Sequence, residues 1–214
     1  MFGNCTCGLA RQAAVTLIRR ASPGLLGDDT WLMALRTFKD NPSVVGFLVE
    51  QACLSAISRT GFNHGSINWK SFASTIFQGD LIQSIPTGNC EKFFIPQNPF
   101  FRDIDALYLK VDDEKKTALV VPIQITTADE HADSEAKFYS RWPTWLDRFD
   151  GYEVKTAFVW IVENCHSWEV KEEDIKTTRS CSILVYPKHE RMVITVAEVS
   201  PTLGKSLASI RQRL

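Results

Sequence analysis

Apolar positions recur at helical spacing through the first 60 residues, and at strand spacing or in short continuous runs through most of the remainder, which predicts an α/β chain. Residues 9–21 and 30–39 each carry a helical apolar stripe, with Pro23-Gly24 and Gly27-Asp28-Asp29 as punctuation between them. A third helix has both ends written in the sequence. Asn41 is its N-cap, Pro42 takes the first helical position, and Val44, Phe47, Leu48, Ala52 and Leu54 carry the pattern to Thr60, where Gly61 stops it. Further along, strands are predicted over 92–95, 103–109, 118–127, 154–162, 182–186 and 192–199. A helix over 129–149 places Phe138, Trp142 and Trp145 on one face and is interrupted or bent at Pro143. Ser200-Pro201 opens a last amphipathic helix reaching Leu214, residues 69–77 read equally as strand or short helix, and 166–179 is a polar surface excursion.

The pair of strands over 103–109 and 118–127 carries the candidate chemistry. Side chains alternate along a strand, so Asp103, Asp105 and Leu107 share one side and Ile104, Ala106 and Tyr108 the other. The charged run Asp112-Asp113-Glu114-Lys115-Lys116 is a reversal, which makes the pair an antiparallel hairpin. On the second strand Pro122, Gln124 and Thr126 face one way, and Val121, Ile123 and Ile125 the other. Carboxylate and amide oxygens on adjacent strands can hold a divalent cation, the starting point of many phosphodiester-cleaving sites. Plainer roles stand beside that one: Asp105 accepting backbone bonds at a strand start, Gln124 as a satisfied core amide, and Glu50 as a solvated helix residue. Asp103 reads as a surface or capping residue and His131 as a hydrogen-bonding residue at a helix entry.

The strings FFIPQNPFFRDIDALYL and LVVPIQITTADEH resemble the C-terminal domain of Crinkler-type effectors and the related retrotransposon-hot-spot proteins. That domain is similar to the PD-(D/E)xK restriction-endonuclease-like superfamily. The resemblance spans roughly residues 41–164 and is carried mainly by the hairpin. It implies an α/β fold with a mixed central sheet flanked by helices, an αβββαβ core with N-terminal helices and extra C-terminal strands and helix. It also implies that Asp105 is the first acidic ligand, that Gln124 holds the second acidic position, and that Glu50, in Gly46-Phe47-Leu48-Val49-Glu50, is the helix carboxylate. These three would hold Mg²⁺ for hydrolysis of DNA. Thr126 stands where a Lys is expected, and Lys137, one helical turn from Arg141, is the candidate substitute; His131 also lies in that segment. The other reading is an effector or interaction module without catalysis, binding DNA or a host or nuclear protein.

Composition limits the remaining possibilities. The 214 residues can bury a sizeable core and suit a single domain, with an N-terminal helical extension at 1–40, a nuclease-like core at 41–164 and a C-terminal extension at 165–214. With 24 basic and 25 acidic side chains the formal net charge is −1, so binding to nucleic acid would need a local basic patch. Arg19 with Arg20, the set Lys137, Arg141 and Arg148, and the tail residues Lys205, Arg211 and Arg213 are the candidates. Cysteines at 5, 7, 53, 90, 165 and 181 lack zinc-site spacing, which suits a reducing, intracellular setting or an effector acting inside a host cell. No apolar run is long enough to span a membrane, and no signal peptide or GxxxxGK[ST] loop is legible. The resemblance then suggests a soluble, shortened member without the translocation header or ATPase of larger relatives, and a route of secretion and delivery to a host nucleus.

Overall fold

Asn41 and Gly61 bracket helix α1 (Pro42–Thr60), as the sequence predicts. The Asn41 side chain accepts the Val44 N–H at 3.3 Å, and Pro42 follows where no intrahelical N–H is needed. At the other end Gly61 adopts φ 79° and ψ −164°, a conformation that side chains disfavour, and a Cβ there would lie 2.3 Å from the Trp69 carbonyl oxygen. Gly61→Ala should therefore destabilise the protein by about 2 kcal/mol, lowering the melting temperature by roughly 4–8 °C. A melting temperature within 1 °C of wild type would contradict that account.

The computed structural model describes residues 35–71, 74–77, 81–96, 104–127, 133–164 and 187–211. After α1 come a two-stranded hairpin, β1 (Phe62–His64) with β2 (Ile67–Trp69), then β3 (Thr75–Phe77), β4 (Cys90–Pro96), β5 (Ala106–Asp112) and β6 (Thr117–Thr126). Helices α2 (Asp133–Ser140) and α3 (Trp142–Arg148) lead into β7 (Glu153–Val162). The described chain closes with β8 (Glu190–Thr195), α4 (Val196–Val199) and α5 (Pro201–Arg211).

Strands β3 to β8 form one mixed sheet in sequence order. β4, β5 and β6 are an antiparallel meander, β3 runs parallel to β4, and β7 and β8 continue parallel from β6. Helices cover both faces. Phe93, Ala106, Tyr108, Val121, Ile123, Ile125, Val159 and Ile161 pack with α1, α4 and α5 on one side. Leu107, Leu109, Val120, Phe158 and Trp160 pack with α2 and α3 on the other. The alternation read from the second hairpin strand is thus realised, and the aromatic stripe of Phe138, Trp142 and Trp145 is core.

Two local expectations change, and two that were open are decided. The backbone bends at Asp105 before β5 begins, so Ile104 joins the Leu107 side instead of the Ala106 and Tyr108 side. The helix expected to be interrupted or bent at Pro143 is interrupted: α2 and α3 are separate, with Arg141 between them and Pro143 in the first turn of α3. Of the described residues in 69–77, Trp69 ends β2 and Thr75–Phe77 forms β3. The strand expected over 192–199 stops at Thr195, because Thr195 and Glu198 form a reciprocal capping box that starts α4. Residues 9–21, 166–179 and 182–186, with Asp103 and His131, lie outside the described residues.

Candidate metal and active site

Asp105 sits where β5 and β6 meet, one residue ahead of β5, and is only 7 % exposed. Its backbone N–H donates to the Ile123 carbonyl at 2.9 Å. Its Oδ2 accepts the Ile125 N–H at 2.8 Å and the Gln124 side-chain Nε2 at 2.6 Å. The carboxylate extends the β5–β6 ladder by one rung, a local role that short acidic side chains fill well. Asp105 and Gln124 are therefore in direct contact, as the hairpin register requires.

Gln124 lies opposite Trp160 of β7, and the strand alternation puts it on the α2 side of the sheet. Thr126 lies opposite Val162 and is buried. Glu50 approaches from the other side. On α1, Gly46 and Glu50 are one turn apart, and Gly46 comes so close to the end of β6 that a Cβ there would stand 3.3 Å from Thr127 Oγ1. Cys53, one turn further on, is fully buried. Burial is the main reason its thiol is pushed far up, and the charges of Glu50 and Asp105 add to the effect. The helix that carries Glu50 packs on the sheet face opposite to the one Gln124 takes.

The amide of Gln51, 0 % exposed, donates through Nε2 to Glu50 Oε1 at 3.1 Å while its own Oε1 has no hydrogen-bond partner. Asp105 with Gln124 on the hairpin, and Glu50 with the orphaned buried oxygen of Gln51 on α1, are oxygen donors of the kind hard divalent cations favour, held on two faces of the sheet. Among the described residues no three His, Cys, Asp or Glu side chains converge on one point, so the candidate set depends on Gln124 as its third member.

Lys137 is exposed on α2, and Arg141 stands at the α2–α3 junction, outside the helix that was to align the two. Two of the basic-patch cations are engaged by other groups of the chain. Arg148 donates to the carbonyls of Ile85 and Pro86 at 3.0 and 3.3 Å, and Arg211 makes a two-pronged pair with Glu163 at 3.0 and 2.9 Å.

A second cluster escaped the sequence reading. Glu135 of α2, 1 % exposed, accepts from Arg191 Nε and Nη2 at 2.8 and 3.0 Å, from Trp160 Nε1 at 3.1 Å, and faces His189 Nε2 at 2.5 Å. Burial pulls its carboxyl upward, but the donors of His189, Arg191 and Trp160 outweigh that and leave it below the ordinary value. Because Trp160 pairs with Gln124, this cluster adjoins the candidate site on the α2 side.

No protein-family profile, curated protein or solved structure matches this chain. No helix among the described residues is long and apolar enough to cross a membrane.

Proposed function

We propose that the chain is a divergent nuclease-like domain of the Crinkler and retrotransposon-hot-spot type that hydrolyses DNA phosphodiester bonds with Mg²⁺. The observation that carries this reading is the 2.6 Å contact between Gln124 and Asp105 at the head of the β5–β6 hairpin. With the three short strands β1 to β3 inserted after α1, the order α1, β4, β5, β6, α2 with α3, and β7 follows the αβββαβ arrangement that the resemblance implies and supports the same reading.

In this reading Glu50 and Asp105 supply charge, and Gln124 turns its amide oxygen toward the cation. A bound Mg²⁺ would supply Lewis acidity for the phosphate and an acidified water. Asp105 is held by the Ile125 N–H, so its carboxylate is oriented before substrate arrives. Lys137 or Thr126 would steady the attacking water, Lys137 from a solvent-facing position and Thr126 through its hydroxyl.

A second reading is favoured by Asp105 already serving the ladder and by a buried Thr126 where a cation belongs. Here the domain is an effector module without catalysis, bound to DNA or a host nuclear protein.

Nicking of supercoiled plasmid in Mg²⁺ or Mn²⁺ separates the two readings. Catalysis predicts nicking that a chelator stops, and a fall of roughly 10²-fold or more in Glu50→Gln, whose fold should be unaffected because Glu50 is only partly buried. Nicking that persists in chelator, or is unchanged in Glu50→Gln, rules out the metal assignment.

A further inference from the structure

His189 presents both ring nitrogens to atoms that can only accept. Nε2 lies 2.5 Å from Glu135 Oε1, and Nδ1 lies 2.9 Å from the Pro187 carbonyl oxygen. A neutral imidazole carries one N–H and would turn a lone pair toward one of these oxygens, whereas an imidazolium satisfies both. Glu135 cannot supply the missing proton. Its two oxygens together meet two Arg191 N–H groups and the Trp160 indole N–H, which hold it as a carboxylate.

We infer that His189 is held as an imidazolium, and that Glu135, His189 and Arg191 form a protonation-linked clamp fastening β8 to α2 across β7. Three elements meet there: α2 contributes Glu135, β7 contributes Trp160, and β8 with the residues just before it contributes Arg191 and His189. Among the described residues, the charged or titratable groups facing His189 are Glu135 and Tyr139 from α2 and Arg191 from β8. The Tyr139 ring lies 4.4 Å from the His189 ring, where its π face favours a cation, and burial pushes the Tyr139 phenol up so that it stays neutral. Deprotonating His189 releases one proton and leaves an unprotonated nitrogen against an oxygen.

The direction of the pH dependence follows. Burial lowers the His189 value, but its bonds to Glu135 and Pro187 and the Glu135 charge raise it above 6.5 overall. Its contribution is therefore complete below about pH 6.5 and is lost as pH climbs through the folded value. Glu135 is held below 4.5, so its contribution is complete above about pH 4.5 and is lost as pH falls through its folded value. The clamp is fully engaged between these limits and releases on the alkaline side through His189.

Nitrogen NMR of the full chain labelled with ¹⁵N tests this. Both His189 ring nitrogens should be protonated at pH 6, with a midpoint above that of a free imidazole. An unprotonated nitrogen at pH 6 would overturn the inference. Thermal melts supply a second measurement: from pH 6 to pH 9 the wild type should lose a few degrees more than His189→Gln, and equal slopes would also overturn it. If His189→Gln does not fold, the wild-type NMR titration decides alone.

Discussion

Glu135→Ala should lower the stability of the fold by about 3 kcal/mol, the size of effect expected when one partner of a buried charge cluster is removed. The loss is large because four donors converge on this single carboxylate. Without it the Trp160 indole N–H, fully buried, has lost its acceptor, and two cationic side chains are left beside each other. Partial exposure of Arg191 and His189 lets them turn toward water, which keeps the effect at the lower end for buried pairs. For a chain of this size the melting temperature should fall by roughly 6–12 °C at pH 6. Glu135→Gln, which retains an acceptor oxygen but no charge, should fall between this variant and wild type. Replacing all three charged groups with apolar side chains of similar volume should recover most of the loss, because the penalty lies in uncompensated charge. A melting temperature for Glu135→Ala within 2 °C of wild type would show that the cluster contributes nothing measurable.

That cluster illustrates what the sequence could not disclose. Glu135 lies 54 residues from His189 and 56 from Arg191, and no local pattern links positions so far apart. Only the parallel placement of β8 beside β7 brings them together. By contrast α1 was legible at both ends, because an Asn-Pro start and a glycine stop are determined by the helix backbone itself. The two faces of the hairpin were legible from its alternation. The pairing that puts Asp105 opposite Gln124 is set by the tight turn between Asp112 and Thr117, which alternation alone does not specify.

The misreadings have physical causes. Apolar residues from Met192 to Val199 look like one strand until the Thr195 and Glu198 capping box is noticed, and that signal was present in the sequence. Three-residue strands such as β1 and β2 are too short to show a period, and they owe their form to the stacking of Phe62 and Trp69 at 4.6 Å and of Trp69 on Tyr108 at 4.2 Å. Alternation failed at Asp105 because its side chain, by binding the Ile125 N–H, takes the place of a backbone rung and bends the chain there.

Asp105 holds the hairpin ladder and is the proposed cation ligand, and two substitutions should divide these roles. Asp105→Ala removes the acceptor of the Ile125 N–H, a buried group, and should cost about 1–3 kcal/mol of stability. Asp105→Asn keeps an oxygen that can accept that N–H, so the fold should lose less, about 1 kcal/mol or below. The catalytic reading instead predicts an equal loss in the two. Both variants remove a charge from the cation site, so Mg²⁺-dependent nicking should fall by roughly 10²–10³-fold or more in each. The stabilisation that saturating Mg²⁺ gives the wild type, about 2.7 kcal/mol at a hundred times its dissociation constant, should disappear in both. A structural role alone predicts another outcome: Asp105→Ala melts early, Asp105→Asn melts near wild type, and Mg²⁺ shifts neither those variants nor the wild type. The Asn variant is the more informative of the two, because it keeps the ladder while removing the charge. Wild-type nicking that survives unchanged in Asp105→Asn would leave Asp105 with a structural role only and would move the search for the reacting group away from the hairpin.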